Sequence, residues 1–554
     1  SRTDSRGVVF EQDYLVNFTK VLTLYDASLT ADGQTTLIYQ MDEGKVTAKS
    51  FFDEEVYDYH ATILATTQEA SLTVILPFAG YGVTAGGSDY YPQVDPETGE
   101  TPDTVTIPLT LDKEKEQTVT FSACTESGQK AHKYTLTLKK GEPVDSTVTV
   151  VDENGSSISG ALAAVYDKRG NTRVWPQANG TFQLVEGLSY TCVATCAGYV
   201  GKTVEFIAGG ENTSFTVKLP AAPAVAHGEG VSAKWPSFRG NDNSNGVVDV
   251  KTPISRENTV LSWANKLGEG FGSGAVSCPI LIKEGDLEFL IVYSGIKLYK
   301  VESVTGTVVA TGTMCDTSSF AITSATYGEN DGMLFVALSD GTVQAFDAAT
   351  LASLWIYRDP LGGQPNCPLT YYNGYVYTGF WNNETADANF VCLTATDEDP
   401  GSSNEEKLAR WTYTSKGGFY WAGAYVCADY LLVGTDDGTS SCTSPTASLL
   451  CLDPATGAVL ARWDGLVGDI RSSIAYYDDN GRFYFTSKGG YLYSATVERT
   501  ADGWAIIPKG QCKLSNGTGG TPMSTCTPVL YNGRAYIGVS GSSQFGEYSG
   551  HNIT

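Results

Sequence analysis

Histidine is scarce: four in 554 residues, at His60, His132, His227 and His551. A Ser/His/Asp nucleophile system or a His-built zinc site therefore has almost no material in the second half of the chain. No apolar run approaches the roughly 18 residues that a membrane-spanning helix needs. No basic cluster interrupts the surplus of 62 Asp and Glu over 36 Lys and Arg, and the net charge of −26 would repel nucleic acid and anionic membranes. The 12 cysteines include neither a CxxC nor a vicinal pair. Glycine-rich phosphate loops are absent, and no window holds a sustained amphipathic helical period. The opening Ser1-Arg-Thr-Asp-Ser-Arg6 lacks a signal-peptide apolar core, which is compatible with a presequence already removed.

What is present points to strands. The chain carries 32 Tyr and 60 Gly, with 42% hydrophobic and only 18% charged residues, the makings of an all-β protein with many turns. Its length is too great for one core, so several domains are expected. One pattern recurs. Leu449-Leu-Cys-Leu-Asp453-Pro-Ala-Thr-Gly457-Ala-Val-Leu-Ala-Arg-Trp463 reads as a strand, a turn whose Asp can cap its own N–H groups, and a second strand closed by Trp. Asp347 and Trp355 repeat it, and Glu302-Ser-Val-Thr-Gly306 keeps the turn without the Trp. Repetition of one supersecondary unit is an architectural signal.

Residues 8–141 show strands at Val16–Tyr25, Gln34–Met41, Tyr59–Thr66, Ser71–Pro77, Asp103–Leu111, Gln117–Cys124 and His132–Lys139, the spacing of a β-sandwich. Phe51-Phe-Asp-Glu-Glu-Val-Tyr-Asp-Tyr59 and Lys133-Tyr-Thr-Leu-Thr-Leu138 resemble the bacterial cadherin-like sandwich family, which implies a spacer or adhesive arm. Gly141-Glu-Pro-Val-Asp145 reads as a linker. Residues 146–220 follow, with a D-x-x-G turn at Asp152–Gly155, a small-residue strand at 158–166, Asn179-Gly-Thr-Phe182 and Ala197-Gly-Tyr199. That set is similar to the carboxypeptidase regulatory-like (transthyretin-like) sandwich, a module that generally carries no chemistry. Ala221–Gly230 reads as a second linker.

From Trp235-Pro-Ser-Phe-Arg-Gly-Asn-Asp-Asn-Ser-Asn-Gly246 onward, residues 232–554 resemble the pyrroloquinoline-quinone-like (PQQ-like), outer-membrane-assembly-type β-propellers. Units begin near Gly274, Ser319, Asn366, Trp421, Arg471 and Thr521, a spacing that suits four-stranded blades. The expected blade motif is Asp347, Trp355, Trp411, Asp453, Gly457 and Trp463. Thr259-Val-Leu-Ser-Trp263 is expected to be an outer strand of the last blade, and the chain is expected to end within that blade, in a ring of about seven. The matching Ser277-Cys-Pro279, Asn366-Cys-Pro368 and Thr525-Cys-Thr-Pro528 suggest cysteines buried at repeat positions rather than disulfides.

Three functions compete. A quinone-dependent dehydrogenase of the resembled class would carry a vicinal disulfide and a calcium ligand set, and neither is found, so no enzyme, cofactor or metal is expected. Asp242-Asn-Ser-Asn-Gly246 begins like a calcium loop but has Pro253 where the closing Glu belongs. A scaffold like the outer-membrane assembly propeller is the second reading, and the sandwich arms count against it. The third is recognition of a protein or glycan ligand by a secreted or cell-surface, monomeric protein. Its candidate site is the loops entering the inner strands: Phe320, Phe419, Tyr420, Trp421, Asp469 and Arg471, with Asn516–Pro522 nearby. Aromatic faces beside directed polar groups suit such binding. Seven N-x-S/T sequons (Asn17, Asn154, Asn179, Asn212, Asn383, Asn516, Asn552) are near the chance level for this composition.

Overall fold

The computed structural model describes residues 24–540 with short breaks, the longest at 94–103 and 516–521, and adds backbone pairing of 2–3 with 9–10 and of 538–539 with 552–553. Most of the expected strand Val16–Tyr25, the loop residues 516–521, His551, and the sequons at Asn17 and Asn212 lie outside the described residues. The protein is all-β, and among the described residues only Gly272–Gly274 makes a helical turn.

Alternation builds the first unit. One sheet runs in the order 88–90, 82–85, 116–124, 133–141, 58–64, 38–39, and it faces a second ordered 104–109, 70–75, 26–31, 34–36. Leu72, Val74, Phe121, Leu136 and Leu138 meet between them. Lys133–Gly141 pairs with Asp58–Leu64 in parallel. Three strands of these sheets went unread, Asp26–Ala31, Gly82–Ala85 and Ser88–Tyr90, because their small and polar side chains carry little apolar signal.

The expected linker at 141–145 is strand instead. Pro143, Val144 and Asp145 pair with Val185, Leu184 and Gln183, so the second unit starts directly from the end of the first. A three-stranded sheet (182–185, 143–151, 214–218) and a four-stranded one (172–174, 162–167, 189–195, 202–207) enclose Val165, Phe182, Leu184, Cys192 and Cys196.

From Ile280 the chain repeats an antiparallel meander. Four strands each make up blades 1 to 5, within 280–313, 326–358, 370–416, 425–466 and 475–513; Glu405–Lys407, inside the third stretch, adds a parallel edge strand to blade 2, and Val529–Tyr531 with Arg534–Tyr536 opens a sixth. Val231–Trp235 adds an inner strand to blade 1. Consecutive blades share cores: Ile291 and Leu298 with Leu334 and Phe346, then Phe335 and Val343 with Val376 and Val391. Tyr377 and Phe390 meet Val433 and Leu450, and Leu449 meets Phe485. Met333–Leu338 and Ala447–Leu452 are therefore buried on both faces, which is why their sequences read as apolar runs with weak alternation. This is a β-propeller preceded by two β-sandwiches.

The Trp that ends one blade lies over the turn of the next. Trp411 Nε1 donates to the Pro454 carbonyl (3.0 Å), and a Cβ placed on Gly457 would sit 2.6 Å from its ring. Trp355 Nε1 donates to the Ala395 carbonyl at 3.4 Å. Each turn is capped from inside: Asp347 Oδ1 accepts from Thr350 N (2.7 Å), and Asp453 Oδ1 from Ala455 N (2.7 Å). Trp463 departs from the pattern and lies edge-on to Phe485 and Tyr493. Residues 259–263 form no strand, yet Trp263 does what the other tryptophans do. Its Nε1 donates to Ser303 O (2.9 Å), and its ring fills the space beside Gly306.

The sandwiches are not held away from the head, as spacer arms would be. Buried Arg410 of blade 3 donates to the carbonyls of Ala455 (2.9 Å) and of Gly160 (2.8 Å) and Thr195 (3.4 Å) in the second unit. Gly201 N donates to Glu398 (2.8 Å), and Lys416 pairs with Asp26 of the first unit (3.2 Å). The second expected linker is also docked: His227 Nε2 lies 2.9 Å from Asp397, and Gly228 N donates to Asp347 Oδ2 (3.1 Å). None of the 12 cysteines is in a disulfide. Of the three matched positions only Cys367 is fully buried, with its Sγ against the Ala422 carbonyl of the next blade, while Cys278 is exposed and Cys526 half-buried.

Two glycines test the clamp. Gly457 and Gly155 both have positive φ, 72° and 86°, but only Gly457 has a ring where a Cβ would go. Gly155→Ala is expected to cost about 1 kcal/mol, the left-handed backbone term alone, and Gly457→Ala at least about twice that, in denaturant unfolding. Equal costs would mean that the ring moves aside freely.

Candidate ligand-binding cavity

The segment Trp235–Gly246 becomes a plug rather than a cation loop. Tyr327 N of blade 2 donates to Pro236 O (2.7 Å), Tyr476 N of blade 5 donates to Asn243 O (2.9 Å), and Asn243 Nδ2 reaches Asp478 (2.6 Å). Asn245 closes on the sixth blade, donating to Leu530 O (2.9 Å) and accepting from Leu530 N (2.7 Å). Two non-glycine residues with positive φ, Arg239 (67°) and Ser244 (50°), make the bends. The segment thus crosses the propeller's centre and closes one end of it. Above the plug is a cavity of about 730 Å³, floored by Phe238 and Arg239. Beneath it, a polar cleft of about 500 Å³ is edged by Asp242, Glu329 and Tyr371.

The loops entering the inner strands line the upper cavity. Trp381 stacks on Tyr420 (centroids 4.5 Å, 19°), and Tyr420 on Trp421 (4.6 Å, 22°). Arg471 lies beside all three rings, its Cζ 4.9 Å from the Tyr420 centroid. Trp421 holds φ at 63°, a strained conformation for a bulky side chain. Phe320 and Phe271 meet edge-on at the rim, 5.8 Å apart, with Phe271 88% exposed.

Charges support this wall from behind. Arg471 Nη2 reaches Asp436 Oδ2 (2.6 Å), Asp469 Oδ2 (2.9 Å) and Glu384, and Lys488 pairs with Asp469 (3.2 Å). Burial opposes the Arg471 charge, but Asp436, Asp469 and Glu384 outweigh it and raise its pKa. Asp437 adjoins this cluster, its N–H donating to Asp469 Oδ1 (2.9 Å). Burial, then the Asp469 charge, push the Asp437 carboxyl up to about 7.

Of the six expected site residues, Phe320, Tyr420, Trp421 and Arg471 line this one cavity. Phe419 does not: it is fully buried between blades, against Phe390 (5.2 Å) and Tyr413. Asp469 is fully buried behind Arg471 and Lys488 and acts on the cavity through them. Sequence reading missed Trp381, Glu384, Asn366 and Lys488. Phe380-Trp381 follows the second strand of blade 3 and Phe419-Tyr-Trp421 its fourth, and the shared run of adjacent aromatics was the available signal.

Glu384, Cys442 and Asp469 bring possible ligand atoms within 4.8 Å of one another, but both carboxylates are already paired with Arg471 or Lys488, and we assign no metal there. The quinone cofactor implied by the resemblance does not fit either. The lining offers one cysteine, Cys526, instead of an adjacent pair, and its Glu384 is engaged by Arg471.

No protein-family model and no curated protein sequence matches the chain. Among solved structures, it is similar to BamB from Moraxella catarrhalis (16% identity, TM-score 0.31, covering 48% of this chain and 72% of that one). It is also similar to quinohemoprotein alcohol dehydrogenase from Comamonas testosteroni (17%, TM-score 0.37, 49% and 48%) and to the Swd1 β-propeller domain of Myceliophteria thermophila (11%, TM-score 0.29, 48% and 81%). The propeller assignment rests on the sheets themselves.

Arg471→Met leaves buried carboxylates unpaired and is expected to cost about 3–5 kcal/mol at pH 7 by chemical denaturation. Asp437 supplies a pH signature. Between its ordinary value of 3.8 and about 7, the folded state holds a proton that the unfolded state has released. Its contribution to stability therefore falls as pH rises through that window. Asp437→Asn should flatten the slope there, and an unchanged slope would place the proton elsewhere.

Proposed function

We propose that this protein is a non-catalytic recognition or adhesion protein, secreted or at the cell surface, that takes a protein or glycan ligand at the open mouth of its propeller. The observation that carries this reading is Trp421. Its backbone is held in the left-handed region while its ring is stacked into a lining of the cavity. Such strain costs on the order of 1–3 kcal/mol and concentrates at sites of function. An aromatic wall, a closed floor and a few directed polar groups are what a binding pocket needs. The cadherin-like and carboxypeptidase regulatory-like resemblances of the first two units favour supports for the head, and the docking of the second unit on blade 3 suits a rigid mount.

Trp421→Gly separates binding from packing, because it removes the ring while relieving the backbone strain. On protein and glycan arrays, ligand captured by the wild type should be lost from the variant, with melting temperatures within a few degrees of each other. Capture that survives the substitution would move the binding surface away from this cavity.

A further inference from the structure

Arg239 stands apart from the other cations of the cavity. Arg471 and Lys488 are paired with Asp436, Asp469 and Glu384, which hold them to the protein's own wall. Arg239, on the floor, has no carboxylate partner among the described residues, although the chain carries a net charge of −26. A guanidinium donates from Nε and from both Nη atoms. Nε of Arg239 donates to Ser244 O (3.3 Å), and Nη2 to Asn245 O (3.1 Å) and Pro528 O (3.2 Å). Those bonds fix the plane of the group. Nη1 makes no such bond and is not sealed from solvent. Burial pulls the pKa of Arg239 down, with the Cys526 thiol opposing, and no carboxylate restores it. A bound anion would do so.

Around this cation the surfaces are mostly apolar. Phe238, Phe320, Pro368, Trp381, Trp421 and Met523 line the cavity, and Glu384, the acid in its lining, is neutralised by Arg471. Arg239 also borders a recess of about 440 Å³ walled by Trp235, Ile280 and Leu290. The neutral polar groups are already engaged. The Tyr420 hydroxyl donates to Gln364 Oε1 (2.9 Å), Thr323 Oγ1 lies 3.1 Å from the Tyr293 hydroxyl, and Thr527 Oγ1 accepts from Ser473 N (3.0 Å). A sugar entering here would give up water at several hydroxyls and find few partners. A carboxylate joined to a bulky apolar group loses its water in one place, and a guanidinium there replaces it. The last residue of a polypeptide is such a group when its side chain is apolar. We propose that the cavity binds the C-terminus of a partner protein, with the terminal carboxylate on Arg239 and a large apolar last side chain against the aromatic wall. The proposal rests on the recognition reading above and gives it a ligand class.

The test is a random peptide library printed in two forms, one with free C-terminal carboxylates and one with the same sequences amidated. Neutral and acid-terminated oligosaccharides are printed beside them. The full chain is expected to capture free-ended peptides whose last residue is Phe, Trp, Tyr, Leu or Met. Amidation should weaken that capture roughly tenfold or more, the contribution of a hydrogen bond between charged groups. Arg239→Gln, which loses the charge, should no longer distinguish the two forms, and Trp421→Gly should lose both. Equal capture of the free and amidated forms by the wild type overturns the proposal, whatever the stability of the variants. A preference for free ends that persists in Arg239→Gln, or that survives Trp421→Gly, also overturns it. Capture of oligosaccharides alone, lost in Trp421→Gly, overturns it and leaves recognition by the cavity standing. No capture of any probe removes both.

Discussion

The head depends on one contact made repeatedly: an indole whose N–H reaches a carbonyl in the turn region of the following blade, with a turn glycine under the ring at Trp263 and Trp411. A blade by itself is a sheet with two apolar faces and no means of covering either. Stacking covers them, and Trp263, Trp355 and Trp411 set how blades 1, 3 and 4 meet what precedes them, because each indole N–H finds a carbonyl in the neighbouring turn region. The glycine is required twice over, once for a backbone that turns left-handed and once for the room that the ring occupies. The register so fixed carries the inner-strand loops to one place, and the aromatic wall of the cavity is a product of blade stacking rather than of any local motif.

The wall is held by a second economy of the same kind. Arg471 spends its donors on carboxylates of the protein itself, and so stiffens the loops instead of offering them a free charge. A guanidinium beside three aromatic rings looks in the sequence like a ligand anchor. In the structure it is a brace.

The repeats were legible because the same turn chemistry recurs at a spacing that only stacked units use. The individual strands of both sandwiches were mostly legible through alternation, and those that escaped, such as Asp26–Ala31, are poor in large side chains. Four of the six candidate site residues share the cavity because aromatic and charged residues cluster at the loops that enter inner strands. Phe419 could not be told from its neighbours Tyr420 and Trp421 by type. Which side chain turns into the blade interface is decided by the positive φ at Trp421 and by Phe390 across the gap, and neither is local in sequence. The docking of the second sandwich was illegible for a related reason. It depends on carbonyl oxygens meeting Arg410, and carbonyls leave no mark in a sequence.

The plug has a consequence for how the protein reaches this shape. Asn245 is held by Leu530, 285 residues further along the chain. During synthesis the segment emerges long before the strand that secures it, and its strained bends gain nothing until the ring comes round. Closing so large a loop is entropically late, and contacts of this separation slow folding. The floor of the cavity should be among the last parts to form, so that the pocket becomes competent only when the blades that surround it are already in place.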